Sequence, residues 1–253
     1  MLQPVAVLAA MEQENRLIET IIADPTERLS HGRRFVIGTI SGVPVVTVIS
    51  GLGKVAAAAT VAIVLERFRP SHVLFAGVAG GIGQDVGIGD IVVADELVQH
   101  DFDATPLFDR FVIPSLATAR IPTDPRATDD LTAATHRFLG GGALPEIAGS
   151  GFAAFDPTGV RVHRGLIGSG DRFVDSAADA ATLLRDLPDL LAVEMEGAAV
   201  AQVCTEAGVP CAVVRSISDR ADAAAGVDFL TFVESVAAPL TAGIVAEYLS
   251  NLS

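Results

Sequence analysis

LLAVEMEGAAVAQVCTEAGVPCAVVRSISD, residues 190–219, reads as a strand, a helix and a second strand. Leu190 to Val193 is a short apolar run, Gly197 to Ala207 is rich in alanine, and Cys211 to Ile217 is again largely apolar. Apolar runs without alternation suit strands buried on both faces, and the segment between them is long enough for a helical crossover. Each strand ends in polar residues, Glu194-Met195-Glu196 after the first and Ser216 to Asp219 after the second.

The same alternation extends outward. Val5 to Leu8 is a buried strand leading into a polar helix over Met11 to Ile22. Residues 35–40 and 44–49 form a predicted hairpin around Ser41-Gly42-Val43. Gly51-Leu52-Gly53 opens an alanine-rich helix that runs to about Phe68 and is stopped by Pro70. Val73 to Ala76 is a strand ending in Gly77-Val78-Ala79-Gly80-Gly81, and Ile91 to Ala94 is another. Gly165 to Ser169 reads as a strand end, 176–186 as a helix, and Phe229 to Leu249 as a last helix. Between Thr105 and Gly159, six prolines and Gly140-Gly141-Gly142 mark loops around one helix near 127–139. The expectation is one α/β domain over residues 1–253, with a central mixed, mostly parallel twisted sheet flanked by helices. The stretch around 109–160 reads as an irregular Pro/Gly-rich insertion.

Composition narrows the function classes. Half of the 253 residues are hydrophobic and 19% are charged, which excludes a disordered chain. A net charge of −14 without a basic cluster argues against nucleic acid and against anionic membranes as partners. No apolar run approaches the roughly 20 residues of a membrane-spanning helix, and the start lacks signal-peptide features, so a cytoplasmic protein is expected. Cys204 and Cys211 lie in Ala- and Val-rich surroundings and read as buried, inert thiols.

In such folds, sites gather where strands end and helices begin. Met11-Glu12-Gln13-Glu14 follows the first strand; its acids either favour a helix N-terminus or supply a base to a cleft. The glycine turns at 51–53 and 77–81 let backbone approach a ligand, or serve as tight packing turns. They match neither a P-loop nor a dinucleotide fingerprint. Glu194 and Glu196 place two carboxylates at the sheet edge, where a structural role needs a partner such as Arg215. Asp219 is either a cap or a site acid. His100-Asp101-Phe102-Asp103 has one histidine and reads as loop polarity, with no metal implied.

Taken in order, these stretches resemble the 5′-methylthioadenosine/S-adenosylhomocysteine nucleosidases of the nucleoside phosphorylase superfamily. The likeness is carried by residues 10–14, 50–58, 87–93, 100–103, 169–173, 193–196 and 215–222, and it covers nearly the whole chain outside about 109–160. The resemblance implies cofactor-free hydrolysis of an adenine N-glycosidic bond in a homodimeric enzyme whose partner is a small nucleoside. It implies three catalytic acids: Asp219 protonates purine N7, Glu14 activates water, and Glu196 binds the ribose hydroxyls. It implies a substrate-binding set of Met11, Val78, Phe173, Val174, Met195, Arg215 and Ser218. Asp219 must then hold a proton near neutral pH. Phosphorolysis is the rival, but the positions expected to hold phosphate-clamping arginines read Ala9-Ala10-Met11-Glu12 and Phe75-Ala76. Val78 replaces a serine common in the family, and Ala104 to Asp109 departs from the usual continuation. Futalosine-type nucleosides and 5′-deoxyadenosine therefore stand beside methylthioadenosine and adenosylhomocysteine as substrates, and a non-catalytic nucleoside binder is the remaining alternative.

Overall fold

A computed structural model describes residues 3–141, 159–221 and 232–252. Its strands are β1 (Val5–Ala9), β2 (Ala23–Ser30), β3 (Arg33–Ile40), β4 (Val43–Ile49), β5 (His72–Gly81), β6 (Ile91–Gln99), β7 (Ile121–Pro122), β8 (Val162–Ser169), β9 (Leu190–Glu194) and β10 (Cys211–Asp219). Its helices are α1 (Glu12–Thr20), α2 (Lys54–Phe68), α3 (Pro125–Leu139), α4 (Ala177–Asp186), α5 (Gly197–Ala207) and α6 (Ala238–Ser250), the last preceded by a π-helical turn over Val233–Ala237.

The strands form one mixed sheet in the order β10-β6-β8-β9-β5-β1-β4-β3-β2. Strand β5 also pairs with β10, so five strands at one end close on themselves. This closure brings β5, β9 and β10 side by side, and their ends carry the polar junctions. The predicted α/β sheet is thus present, with a closed end that the sequence pattern did not announce.

Alternating residues sort the core into two layers. Ala6, Leu8, Val73 and Phe75 face α2 and α5, whereas Val5, Val7, Leu74 and Ala76 face α1, α3 and α6. The central strands are buried on both sides, which explains their unbroken apolar character. The hairpin turn at Ser41 and Gly42 has φ of 51° and 81°, the left-handed pair that matches the twist of the flanking strands.

The unexpected elements are β2 and β7. Strand β2, ADPTERLS, is exposed along almost its whole length and pairs only with β3 at the sheet edge. An edge strand with no buried face has no periodic apolar signal, and Pro25 hides it further. Within the 109–160 stretch, the anticipated helix is α3; residues 142–158 lie outside the described residues. The predicted start of the last helix at Phe229 also lies outside them. Cys204 and Cys211 are buried and unbridged. Among the described residues, no helix is long and apolar enough to cross a membrane.

Candidate active site

Strand β5 forms the floor of the site, and its glycines let acids from neighbouring elements approach. Glu14, in the first turn of α1, is 2% exposed. Its Oε2 accepts the N–H groups of Ala10 (3.0 Å) and Met11 (2.8 Å), and its Oε1 accepts that of Val78 (2.9 Å). Glu14 therefore caps its own helix and turns toward the sheet. Burial raises its pKa above the ordinary glutamate value, against the opposing pull of Arg215 and the three N–H donors.

Glu196 lies at the start of α5, where its Oε1 accepts the Gly53 N–H at 2.7 Å. Burial, followed by the negative charge of Glu194, pushes its pKa up to about 8. Glu194 itself binds Arg215 Nη2 at 2.7 Å. The Arg215 guanidinium lies 4.2 Å from the centre of the Phe75 ring, a stacked cation–π contact.

Asp219 ends β10 beside Gly80. A register shift between Ile217 and Asp219 interrupts the pairing with β5 at Ser218, the kind of irregularity that redirects side chains near sites. Asp219 Oδ2 accepts the Ser218 hydroxyl at 2.8 Å, and Oδ1 accepts the Ala221 N–H at 2.7 Å. Three loops close one side. Lys54 N–H donates to Asp171 Oδ1 (2.8 Å), Asp171 N–H to Asp101 Oδ2 (2.8 Å), and Lys54 Nζ to Asp101 Oδ1 (2.5 Å). Asp101 of the His100–Asp103 stretch is thus part of a clasp between loops.

These elements line one cleft. Glu14, Glu196 and Asp219 all line it, as do Met11, Val78, Phe173, Val174, Met195 and Ser218. Arg215 does not. It is 1% exposed and committed behind the wall to Glu194, so its expected place as a substrate contact is corrected to support of the acids. Leu52 and Arg172 line the mouth without having been anticipated. Sequence reasoning also gave no role to Ser169, whose hydroxyl meets Glu194 Oε1 and accepts the Ala198 N–H at 2.7 Å. Its place directly before the Gly170-Asp171 turn at a strand end was the available signal.

A closed-ended mixed sheet with acids converging over a glycine-rich strand defines the class, and the chain belongs to the phosphorylase superfamily, whose family profile matches residues 4–250. Within it, the chain is a member of the 5′-methylthioadenosine/S-adenosylhomocysteine nucleosidase family. It is 36% identical over 233 residues to the nucleosidase of that name from Anoxybacillus flavithermus, covering 92% of each chain. The structure of the Neisseria meningitidis nucleosidase in complex with methylthio-immucillin-A superposes with a TM-score of 0.87 at 32% identity, covering 99% of this chain and 100% of that one. A futalosine hydrolase mutant of Helicobacter pylori superposes at 0.85 and 30% identity, covering 99% of this chain and 100% of that one.

Proposed function

We propose that the protein hydrolyses the N-glycosidic bond of a 5′-substituted adenosine, 5′-methylthioadenosine and/or S-adenosylhomocysteine, to adenine and the 5′-substituted ribose. The observation that carries this reading is the convergence of Glu14, Glu196 and Asp219, from three separate elements, on one cleft. An adenine anion is a poor leaving group, so a proton delivered to N7 by Asp219 lowers the barrier. Departure leaves an oxocarbenium-like ribosyl cation, which nearby carboxylates stabilise. Glu14 takes a proton from the attacking water on the opposite face, a contribution of ~10²–10⁴-fold for a positioned base. Glu196 holds the ribose hydroxyls, and its raised pKa makes it a donor as well as an acceptor. Phe173 and Val174 form the adenine wall, Met195 lies beside the sugar, and Met11, Val78 and Ser218 complete the lining. The arrangement parallels inverting glycosidases, with acid and base on opposite sides of the sugar.

Water rather than phosphate is the acceptor in this reading. Among the described residues lining the cleft, Arg172 is the one cation; it is at the mouth, is 67% exposed and is ion-paired with Asp179. The reading includes a homodimer working in the cytoplasm. A futalosine-type substrate is the second reading, supported by the likeness to the H. pylori futalosine hydrolase mutant.

The test is to incubate the protein with methylthioadenosine, adenosylhomocysteine and a futalosine-type nucleoside, with and without phosphate, and to quantify base and sugar. Adenine and free sugar in phosphate-free buffer are expected. Sugar 1-phosphate formed only with phosphate makes it a phosphorylase. Binding without turnover of any substrate makes it a nucleoside-binding protein.

A further inference from the structure

Glu194 accepts five hydrogen bonds from four donor groups. Its Oε1 meets the Ser169 hydroxyl and the Gly197 N–H (3.0 Å). Its Oε2 accepts from Arg215 Nη2 (2.7 Å), the Glu196 N–H (3.1 Å) and the Gly197 N–H (2.8 Å). A carboxylate offers about four lone-pair positions, so this one has no acceptor capacity left for a substrate hydroxyl. It borders the cleft, but every bond it makes holds the protein.

What it holds is specific. The Glu196 N–H and the Gly197 N–H begin α5, so Glu194 fixes the turn from which the Glu196 side chain enters the cleft. Arg215, its ion-pair partner, lies next to Glu14. A methyl group on Gly77 would come within 2.6 Å of Glu14 Oε1 and 3.4 Å of Arg215 Nη1. One carboxylate is thereby tied to both sugar-side acids, to one through the backbone and to the other through a guanidinium. We propose that Glu194 is a positioning residue for the reaction, its carboxylate setting Glu196 toward the sugar and Arg215 beside Glu14 without touching substrate itself. This rests on the nucleosidase reading given above.

Charge supports the geometry. The groups acting on Glu196 are Glu194 from β9, Arg215 from β10, Glu14 from α1 and the Gly53 N–H from the loop before α2. Glu194 raises the Glu196 pKa, and Arg215 lowers it. Replacing Glu194 with glutamine removes one raising charge while the pull of Arg215 remains, so Glu196 must then titrate at lower pH, though burial and Glu14 still hold it up.

The experiment is Glu194→Gln, read three ways. The titration of the Glu196 carboxyl in ligand-free protein, followed by carbon NMR or difference infrared spectroscopy against a Glu196→Gln reference, should move to lower pH by about 1 unit or more. Adenine release should show kcat reduced on the order of 10²-fold, as misplacement of a reacting group by about 1 Å does. The basic limb of the kcat/KM profile should move in the same direction as the titration. Wild-type kcat with an unmoved Glu196 titration overturns the proposal. If the single variant does not fold, Glu194→Gln combined with Arg215→Met removes both buried charges together. That pair folded but still impaired supports positioning; folded with wild-type turnover, it shows a mere structural ion pair and overturns the proposal. The ligand-free titration needs no substrate, so an inactive wild-type protein overturns the nucleosidase reading while Glu194 is still tested.

Discussion

A side-chain carbon on Gly77 would lie 2.6 Å from Oε1 of Glu14, closer than real carbon contacts come. Glycine at this point of β5 is what lets Glu14 reach the strand and accept the Val78 N–H at 2.9 Å. The same relation recurs at Gly80, where a Cβ would meet Asp219 Oδ1 at 2.9 Å. Gly77→Ala should therefore push the proposed base aside in a chain that still folds. Steady-state adenine release should show kcat lower by ~10²-fold or more, since a positioned base contributes that much. An unchanged kcat means that Glu14 is not the base.

Asp219→Asn keeps the shape of the side chain but not the acidic proton. Turnover should fall by ~10²–10⁴-fold while a nucleoside analogue still binds, as measured by calorimetry. Wild-type turnover removes Asp219 as the acid.

Glu196 gives a pH signature in stability. Its pKa stands at about 8 in the folded protein against the ordinary glutamate value of 4.5. The folded state holds this proton over that interval and the unfolded state does not. The stabilising contribution is therefore complete below pH 4.5 and is lost as pH rises through about 8. The raised pKa of Glu14 acts in the same direction. Urea unfolding at several pH values should show Glu196→Gln losing less stability than the wild type as pH rises from about 4.5 to about 8. Parallel curves place the Glu196 pKa at its ordinary value.

Phe173 is 45% exposed at the cleft wall. Stacking of a base on an aromatic ring contributes roughly 1–3 kcal/mol. Phe173→Ala should raise KM by about tenfold while kcat changes little, in the pattern of lost uniform binding. A lowered kcat with unchanged KM assigns Phe173 to the chemical step.

Most elements were legible because their signals are local. The hairpin at Ser41-Gly42, the strand–helix–strand unit at 190–219 and the acids at strand ends all announce themselves within a few residues. Strand β2 did not, because its pairing with β3 leaves both its faces exposed and no apolar alternation is required of it. Sequence reasoning named Arg215 both as a partner for the strand-end glutamates and, from the resemblance, as a substrate contact; only the packing shows it buried and paired with Glu194.

Which residues can ionise, where the chain must turn, and the order of elements that matches the nucleosidase family are all written locally in the sequence. Tertiary structure alone decided how those charges are shared. Glu14 and Val78 are 64 positions apart, Gly53 and Glu196 are 143 apart, and Glu194 and Arg215 are 21 apart. Such pairings depend on strand order and register, which arise from the packing of the whole core and not from any short window of residues. Closure of β5 against both β9 and β10 places Gly80 beside Val193 on one side and beside Asp219 on the other. That closure turns three separate strand ends into one cleft, and burial there raises the pKa values of Glu14 and Glu196 above that of an exposed glutamate.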